Sequence, residues 1–378
     1  MHSFTSSSER PGFIRQTASD RPGVAQPVPE RDIPQKPWQT MYLVMLVLLL
    51  ALVSLWEYGW RAYGSVPGYA NGNGEWAMQR ERIDRGEGAK TVLIGSSRVL
   101  FDMQLPVWEQ LYGERPIQLV LEGTSSLPVL EDLAADPHFT GRLLVGVTPG
   151  LFFSGYAYRG DAISYFHKWR PSQRIGDWIS AHWIEPYLAF DDADFALATV
   201  LRRLPWPVRA GMKPELEVRK LMVQQDLDRN SHMWAKVEQD PDYRAIARAT
   251  WAQNFNGPPP SMDTPEKKAK KIASQIERAS KAVATLRARG VQIVFVRLPS
   301  AGPYYANEQM GLPRAETWDL LLQRTGVPGI HFEDYPQLQG YELPEWSHLS
   351  WSEATRFTTA LVPIVQHELS KADSEKKN

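Results

Sequence analysis

No cysteine occurs among the 378 residues. That excludes disulfides, iron–sulfur clusters and cysteine-based zinc sites together, and it removes the thiol from the list of possible nucleophiles. An excess of charge of either sign is missing too, with 42 Lys and Arg against 43 Asp and Glu. Without a concentrated positive surface there is no electrostatic case for a nucleic-acid partner. No Gly-x-x-x-x-Gly-Lys-Ser/Thr loop is present to support ATP binding. No His-Glu-x-x-His stretch or carboxylate–histidine cluster suggests a metal or any other cofactor. Long apolar runs are lacking as well, with one exception.

That exception is the 20 uncharged residues 37–56, bounded by Lys36 and Glu57. At about 1.5 Å rise per residue they reach roughly 30 Å, the thickness of a hydrocarbon core. Trp38 and Tyr42 at one end, and Trp56, Tyr58 and Trp60 at the other, suit the two interfaces. A cleaved signal peptide is the competing reading. The long preceding region and the absence of a small-residue cleavage site speak for an uncleaved anchor instead. The chain therefore divides into a Ser- and Pro-rich tail over 1–36, expected to be disordered and cytoplasmic, a membrane helix over 37–58, a linker or neck over 59–89 containing the Asn71-Gly72-Asn73-Gly74 run, a soluble domain over 90–370, and a disordered tail over 371–378. Orientation rests on a slight excess of Lys and Arg near the N-terminal side of the span, which puts the soluble domain on the outer face.

Within the soluble domain, four short apolar runs alternate with helical patterns: TVLI at 91–94, IQLVL at 117–121, LLVGV at 143–147 and VQIVFVR at 291–297. That alternation predicts an α/β fold with a parallel sheet covered on both faces. The helix before the last run is bracketed by Thr264 as N-cap, Pro265 in its first turn and Gly290 at its end. Its basic face, from Lys267 to Arg289, is either a solvated surface or a contact for anionic lipid or polymer. Residues 151–260 interrupt the alternation with six Trp and read as a helical, aromatic-rich insertion. Those rings either fill a core or form sugar-stacking platforms.

In open α/β sheets the site lies beyond the carboxyl ends of the strands. Ser97 stands there, after Gly95-Ser96, as a helix cap or as an exposed hydroxyl near helix amides. Glu345-Trp346-Ser347-His348 directly precedes the final helix, which opens with the capping box Ser350-x-x-Glu353. An acid three residues before a loop histidine can orient its imidazole, as a Ser-His-acid triad requires. Gly123 and Thr148 end the second and third strands, where they can face the same point. Arg98 and Arg297 can either hold an anionic substrate or form structural ion pairs.

A Ser on the first strand turn, a Gly on the second and an acid-x-x-His before the last helix together resemble the SGNH (GDSL-like) hydrolase superfamily. The resemblance covers roughly 90–150 and 291–368 and implies a flavodoxin-like three-layer sandwich. It implies Ser97 as nucleophile, His348 as general base, Glu345 as the acid and Gly123 as an oxyanion donor. Two positions depart from the pattern. Ser96 replaces the usual Asp, as in membrane-anchored members similar to the D-alanyl transfer protein, and Thr148 stands where an Asn donor is expected. The implied activity is a bacterial inner-membrane, single-pass O-acetyltransferase or esterase with its domain in the periplasm. Its substrate would be a cell-surface polysaccharide and its partner a membrane-bound O-acyltransferase or polysaccharide export complex. A non-catalytic module that binds polysaccharide or scaffolds such a partner is the alternative.

Overall fold

In the computed structural model the described residues are 36–377 without 205, 208, 210, 212–215, 256 and 258, so residues 1–35 of the expected tail lie outside them. Trp38–Tyr63 form one 26-residue helix whose first charged residue is Glu57. At 1.5 Å per residue it is about 39 Å long. Among the described residues it is the one helix long and apolar enough to cross a membrane. The chain divides inside it, into a unit that ends at Leu55 and a unit that begins at Trp56.

Among the described residues the second unit is built on seven strands: β1 (Thr91–Ile94), β2 (Ile117–Gln118), β3 (Arg142–Gly146), β4 (Met222–Gln224), β5 (Ser231–Met233), β6 (Gln292–Arg297) and β7 (Gly329–His331). Five of them make a parallel sheet in the order β2-β1-β3-β6-β7, and β4 and β5 pair as a separate antiparallel ribbon. The expected 117–121 strand pairs formally over only two residues. Its continuation still runs beside β1, with Leu119 N–H donating to Leu93 O at 2.9 Å and Leu121 N–H to Gly95 O at 3.2 Å.

Successive strand residues point to opposite faces, so each continuous apolar run supplies two cores. Val92, Ile94, Leu143, Val145, Ile293 and Phe295 meet the helices Leu127–Ala135, Pro265–Ala288 and Trp318–Thr325 on one face. Leu93, Leu144, Val294 and Val296 meet the helices Ser97–Asp102, Leu105–Tyr112 and Trp351–Lys377 on the other. Helix Pro265–Ala288 starts as its sequence reads, with Thr264 Oγ1 accepting from Lys267 N–H at 3.2 Å. Much of its basic face is spent inside the domain: Arg278 pairs with Glu131, Lys268 with Glu316, and Arg289 donates to the carbonyls of Ala134 and Asp136.

Two expected boundaries differ. The Asn/Gly run reads as a linker, yet it is the entry to helix Asn73–Arg82, with Asn71 in the left-handed region at φ 52°. Trp76 on that helix is fully buried and donates to Leu119 O at 3.1 Å, while Arg80 bridges Asp132 and Asp136 at 2.8 and 2.7 Å. Short polar residues that favour turns are here the local signal of a helix start. At the other end, helix Trp351–Lys377 runs through most of the segment expected as a tail. The described residues of the 151–260 insertion include short helices and the β4–β5 ribbon.

Candidate active site

β1 delivers the chain to Gly95, where a Cβ would fall 2.4 Å from Val99 Cγ2, so the missing side chain lets the following helix pack close against the strand end. The turn leads through Ser96, in extended conformation as N-cap, to Ser97 as first residue of helix Ser97–Asp102. Chain order reverses at β1, since β2 lies on one side and β3 on the other. Ser97 therefore sits where open α/β sheets form their crevice. Across that crevice Ser96 Oγ and Thr148 Oγ1 share a hydrogen bond of 2.5 Å.

His348 comes from the opposite end of the chain. Its Nε2 lies 2.8 Å from Ser97 Oγ, and its Nδ1 lies 2.7 Å from Glu345 Oε1. The same carboxylate oxygen accepts the backbone N–H of His348, also at 2.7 Å. With Nδ1–H donating to a carboxylate, Nε2 is left as the acceptor for the serine hydroxyl. Glu345 and His348 are buried at 0% and 1% exposure, while Ser97 is only half-buried. The relay thus runs from a fully buried carboxylate to a serine that is partly exposed.

The loop geometry that doubles Glu345 back on His348 is strained. Trp346 adopts φ 75°, unusual for any residue with a side chain. Its carbonyl accepts from Ala301 N–H at 2.8 Å and its N–H donates to Leu343 O at 3.0 Å. Next to it, the capping box is half formed. Glu353 N–H reaches Ser350 Oγ at 3.4 Å, but the Glu353 carboxylate pairs with Arg356 at 2.6 Å.

Three side chains outside the expected set complete the surroundings. Phe101 stacks on the imidazole with centroids 4.1 Å apart. Asp102 accepts Leu349 N–H at 3.0 Å through one carboxylate oxygen. Burial drives the Asp102 carboxyl well above its ordinary range, against Leu349 N–H and Arg98, which favour its ionised form. Trp251, from the insertion, donates its indole N–H to Glu345 Oε2. Phe101 and Asp102 share the helix of Ser97, so short spacing already places them near it. Trp251 lies 94 residues from its partner and carries no local signal.

The remaining expected residues divide. Thr148 is brought to the turn through Ser96. Gly123 ends the β2 segment with φ 60°, its carbonyl accepting from Tyr158 N–H at 3.3 Å. Arg98 and Arg297 converge on Glu308 instead, at 2.9 and 2.7 Å, with all three side chains buried and Ser300 Oγ at 2.6 Å. Burial pushes the Glu308 carboxyl up, but the two guanidiniums outweigh it and hold it low. Burial, with Arg98 beside it, brings Arg297 down to about 10. An interior ion cluster of this kind ties β6 and helix Gly302–Gly311 to the serine helix, and the carboxylate of Glu308 already occupies both guanidiniums.

Chemically, the Ser97–His348–Glu345 chain can pass the serine proton to Nε2 and stabilise the resulting imidazolium on the carboxylate. No protein-family model matches the chain, and comparison with curated proteins finds no similar sequence.

Proposed function

We propose that this chain is an SGNH-like acyl-ester enzyme, an O-acetyltransferase or esterase acting on a cell-surface polysaccharide from the outer face of the bacterial inner membrane. The observation that carries the reading is the relay of 2.8 and 2.7 Å hydrogen bonds from Ser97 through His348 to Glu345. The strand order β2-β1-β3-β6-β7, which in a five-stranded sheet is the flavodoxin-like order, supports the fold the resemblance implies. The apolar helix Trp38–Tyr63 supports action beside a membrane-bound O-acyltransferase or export complex, which would supply the acyl group or the polymer.

In this reading His348 Nε2 takes the Ser97 proton as Oγ bonds to the acyl carbon of an ester. The tetrahedral intermediate collapses by breaking the bond to the alcohol oxygen, and the imidazolium returns its proton to that oxygen. A sugar hydroxyl or water then gives its proton to His348 while attacking the acyl-serine, and Ser97 leaves with the proton back. Charge on the intermediate's oxygen falls to the amides at the start of the serine helix and at Gly123, with Thr148 as a hydroxyl donor. If Ser96 donates to Thr148 Oγ1 in their shared bond, the Thr148 proton is free for that task.

The test is labelling and turnover. The full chain should react at Ser97 with a fluorophosphonate probe and release acetate from a generic acetyl ester, and Ser97→Ala should abolish both. Equal turnover by the wild type and Ser97→Ala would remove Ser97 from the chemistry. One observation favours a second reading, a non-catalytic module: Thr148 stands where an amide donor is expected, and its single hydroxyl proton is spent on Ser96 if Thr148 is the donor in their shared bond. Retention of polymer by a chain that neither labels nor turns over would decide for it.

A further inference from the structure

Helix Pro171–Ile179 and the turn Ser180–Ile184 that continues it are amphipathic with the polarity reversed. Asp177 faces the domain, accepting from Tyr165 Oη and Trp169 Nε1 at 2.7 Å each, and its side chain closes on Gly74. Ile175, Trp178, Ile179 and Trp183, spaced i, i+3, i+4 and i+8 on one face, are all exposed, Trp183 at 68%. A second segment repeats the pattern: Leu197, Leu201, Leu204 and Trp206 are exposed around the short helix Leu197–Arg202. Soluble surfaces rarely leave this many neighbouring large apolar side chains in water.

The loop between the two segments is tied to the residues where the apolar span ends. Glu57 accepts Ala189 N–H and Phe190 N–H at 3.0 and 3.1 Å, and Arg61 donates to Tyr187 O at 3.0 Å. Trp60 stacks on Phe195 with centroids 4.4 Å apart. Glu57 and Arg61 are the first charges after the uncharged run, so a bilayer crossed by that run has its surface at their level. The two apolar segments flank that tied loop in sequence, one ending at Ile184 and the other beginning at Leu197. Lys168 and Arg170 before the first, and Arg209 after the second, are exposed cations suited to anionic headgroups.

We infer that the segments 171–184 and 197–204, with Trp206, form an interfacial lipid-docking surface that lays its Trp, Ile and Leu side chains into the headgroup boundary of an anionic bilayer. The chain is then held at two places, by a spanning helix and by a face of its soluble domain. This holds whatever chemistry Ser97 carries.

The absence of cysteine makes the test direct, because each introduced thiol is the sole labelling site. Full-length Ile175→Cys, Trp183→Cys and Leu201→Cys chains, spin-labelled in phosphatidylethanolamine–phosphatidylglycerol nanodiscs, should show oxygen-to-nickel collision ratios several-fold above a Lys281→Cys control on helix Pro265–Ala288. In the unsubstituted chain, a diazirine lipid in the same nanodiscs should leave adducts on peptides spanning 171–206 as well as on the span. Aqueous collision ratios at all three positions, or adducts confined to 37–58, would overturn the inference. The second of these results needs no substitution, so a misfolded variant does not rescue it.

Discussion

Helices Pro265–Ala288 and Pro171–Ile179 belong to the same chain, are both amphipathic, and are both opened by a proline, yet they face opposite ways. The first turns Ile272, Ile276, Ala279, Val283 and Leu286 into the core beneath the sheet and its lysines outward. The second turns Asp177 inward and its Trp and Ile outward. An apolar stripe specifies that something must cover it, and leaves open whether that is the protein's own sheet or an external phase. The same contrast separates the two regions to which these helices belong. The sheet region is closed on itself and holds the serine relay. The insertion contributes one indole to that relay and leaves Ile175, Trp178, Ile179, Trp183, Leu197, Leu201 and Trp206 uncovered.

The largest test of this division is Ser97→Ala, expected to lower ester turnover by about 10⁴-fold or more with the fold intact. Single-turnover kinetics and circular dichroism read the two halves of that statement. Full activity without Ser97 would move the chemistry away from the sheet edge. Next comes Ile276→Ala, whose side chain is 4% exposed. It should cost about 2–5 kcal/mol in denaturant unfolding, as deletions of buried aliphatic side chains do. Trp251→Phe keeps a ring in place while removing the hydrogen bond to Glu345. A drop of about tenfold in kcat at constant KM, the rate equivalent of one such bond, would establish that the insertion positions the relay.

The joint between the regions offers a pH test. Glu75, on helix Asn73–Arg82, is buried with the insertion's Glu185 nearby. Burial first, then that second carboxylate, raise its carboxyl to about 7. An acid whose folded value is raised contributes stability that is complete below its ordinary 4.5 and lost as pH rises through about 7. Melting temperature should therefore fall between pH 5 and pH 8, and Glu75→Gln should flatten that fall. The smallest expected effect is Trp183→Ala, which should leave unfolding free energy within about 0.5 kcal/mol because the ring is uncovered in the folded domain. A loss comparable to that of Ile276→Ala would abolish the contrast between the two helices.

Much of the site was legible in the one-dimensional pattern because its parts are local. The Gly95-Ser96-Ser97 turn follows a strand, and Glu345 precedes His348 by one helical turn of sequence, so each half of the relay is a short-range feature. Their union is a contact across 251 residues and depends on the sheet order that brings both to one edge. Arg98 and Arg297 were open to two readings for the same reason. A cation next to a strand–helix turn looks the same in sequence whether it meets a ligand or Glu308, a partner 210 residues away from Arg98. The Asn71–Gly74 run reads as linker because turn-forming residues also start helices, and the burial of Trp76 tells the two apart.

What the sequence determined by itself were the features set by composition and short spacing. It excluded thiol chemistry, supplied an uncharged stretch long enough for a bilayer, imposed strand runs apolar on both faces, and put a histidine within reach of an acid. The tertiary structure alone decided which distant groups met: Ser97 with His348, Trp251 with Glu345, Arg98 and Arg297 with Glu308. It also decided which apolar faces stayed outside. The reason is that periodicity encodes the existence of a face, whereas the partner of that face depends on long-range packing, in which the hydrophobic effect rewards any cover equally.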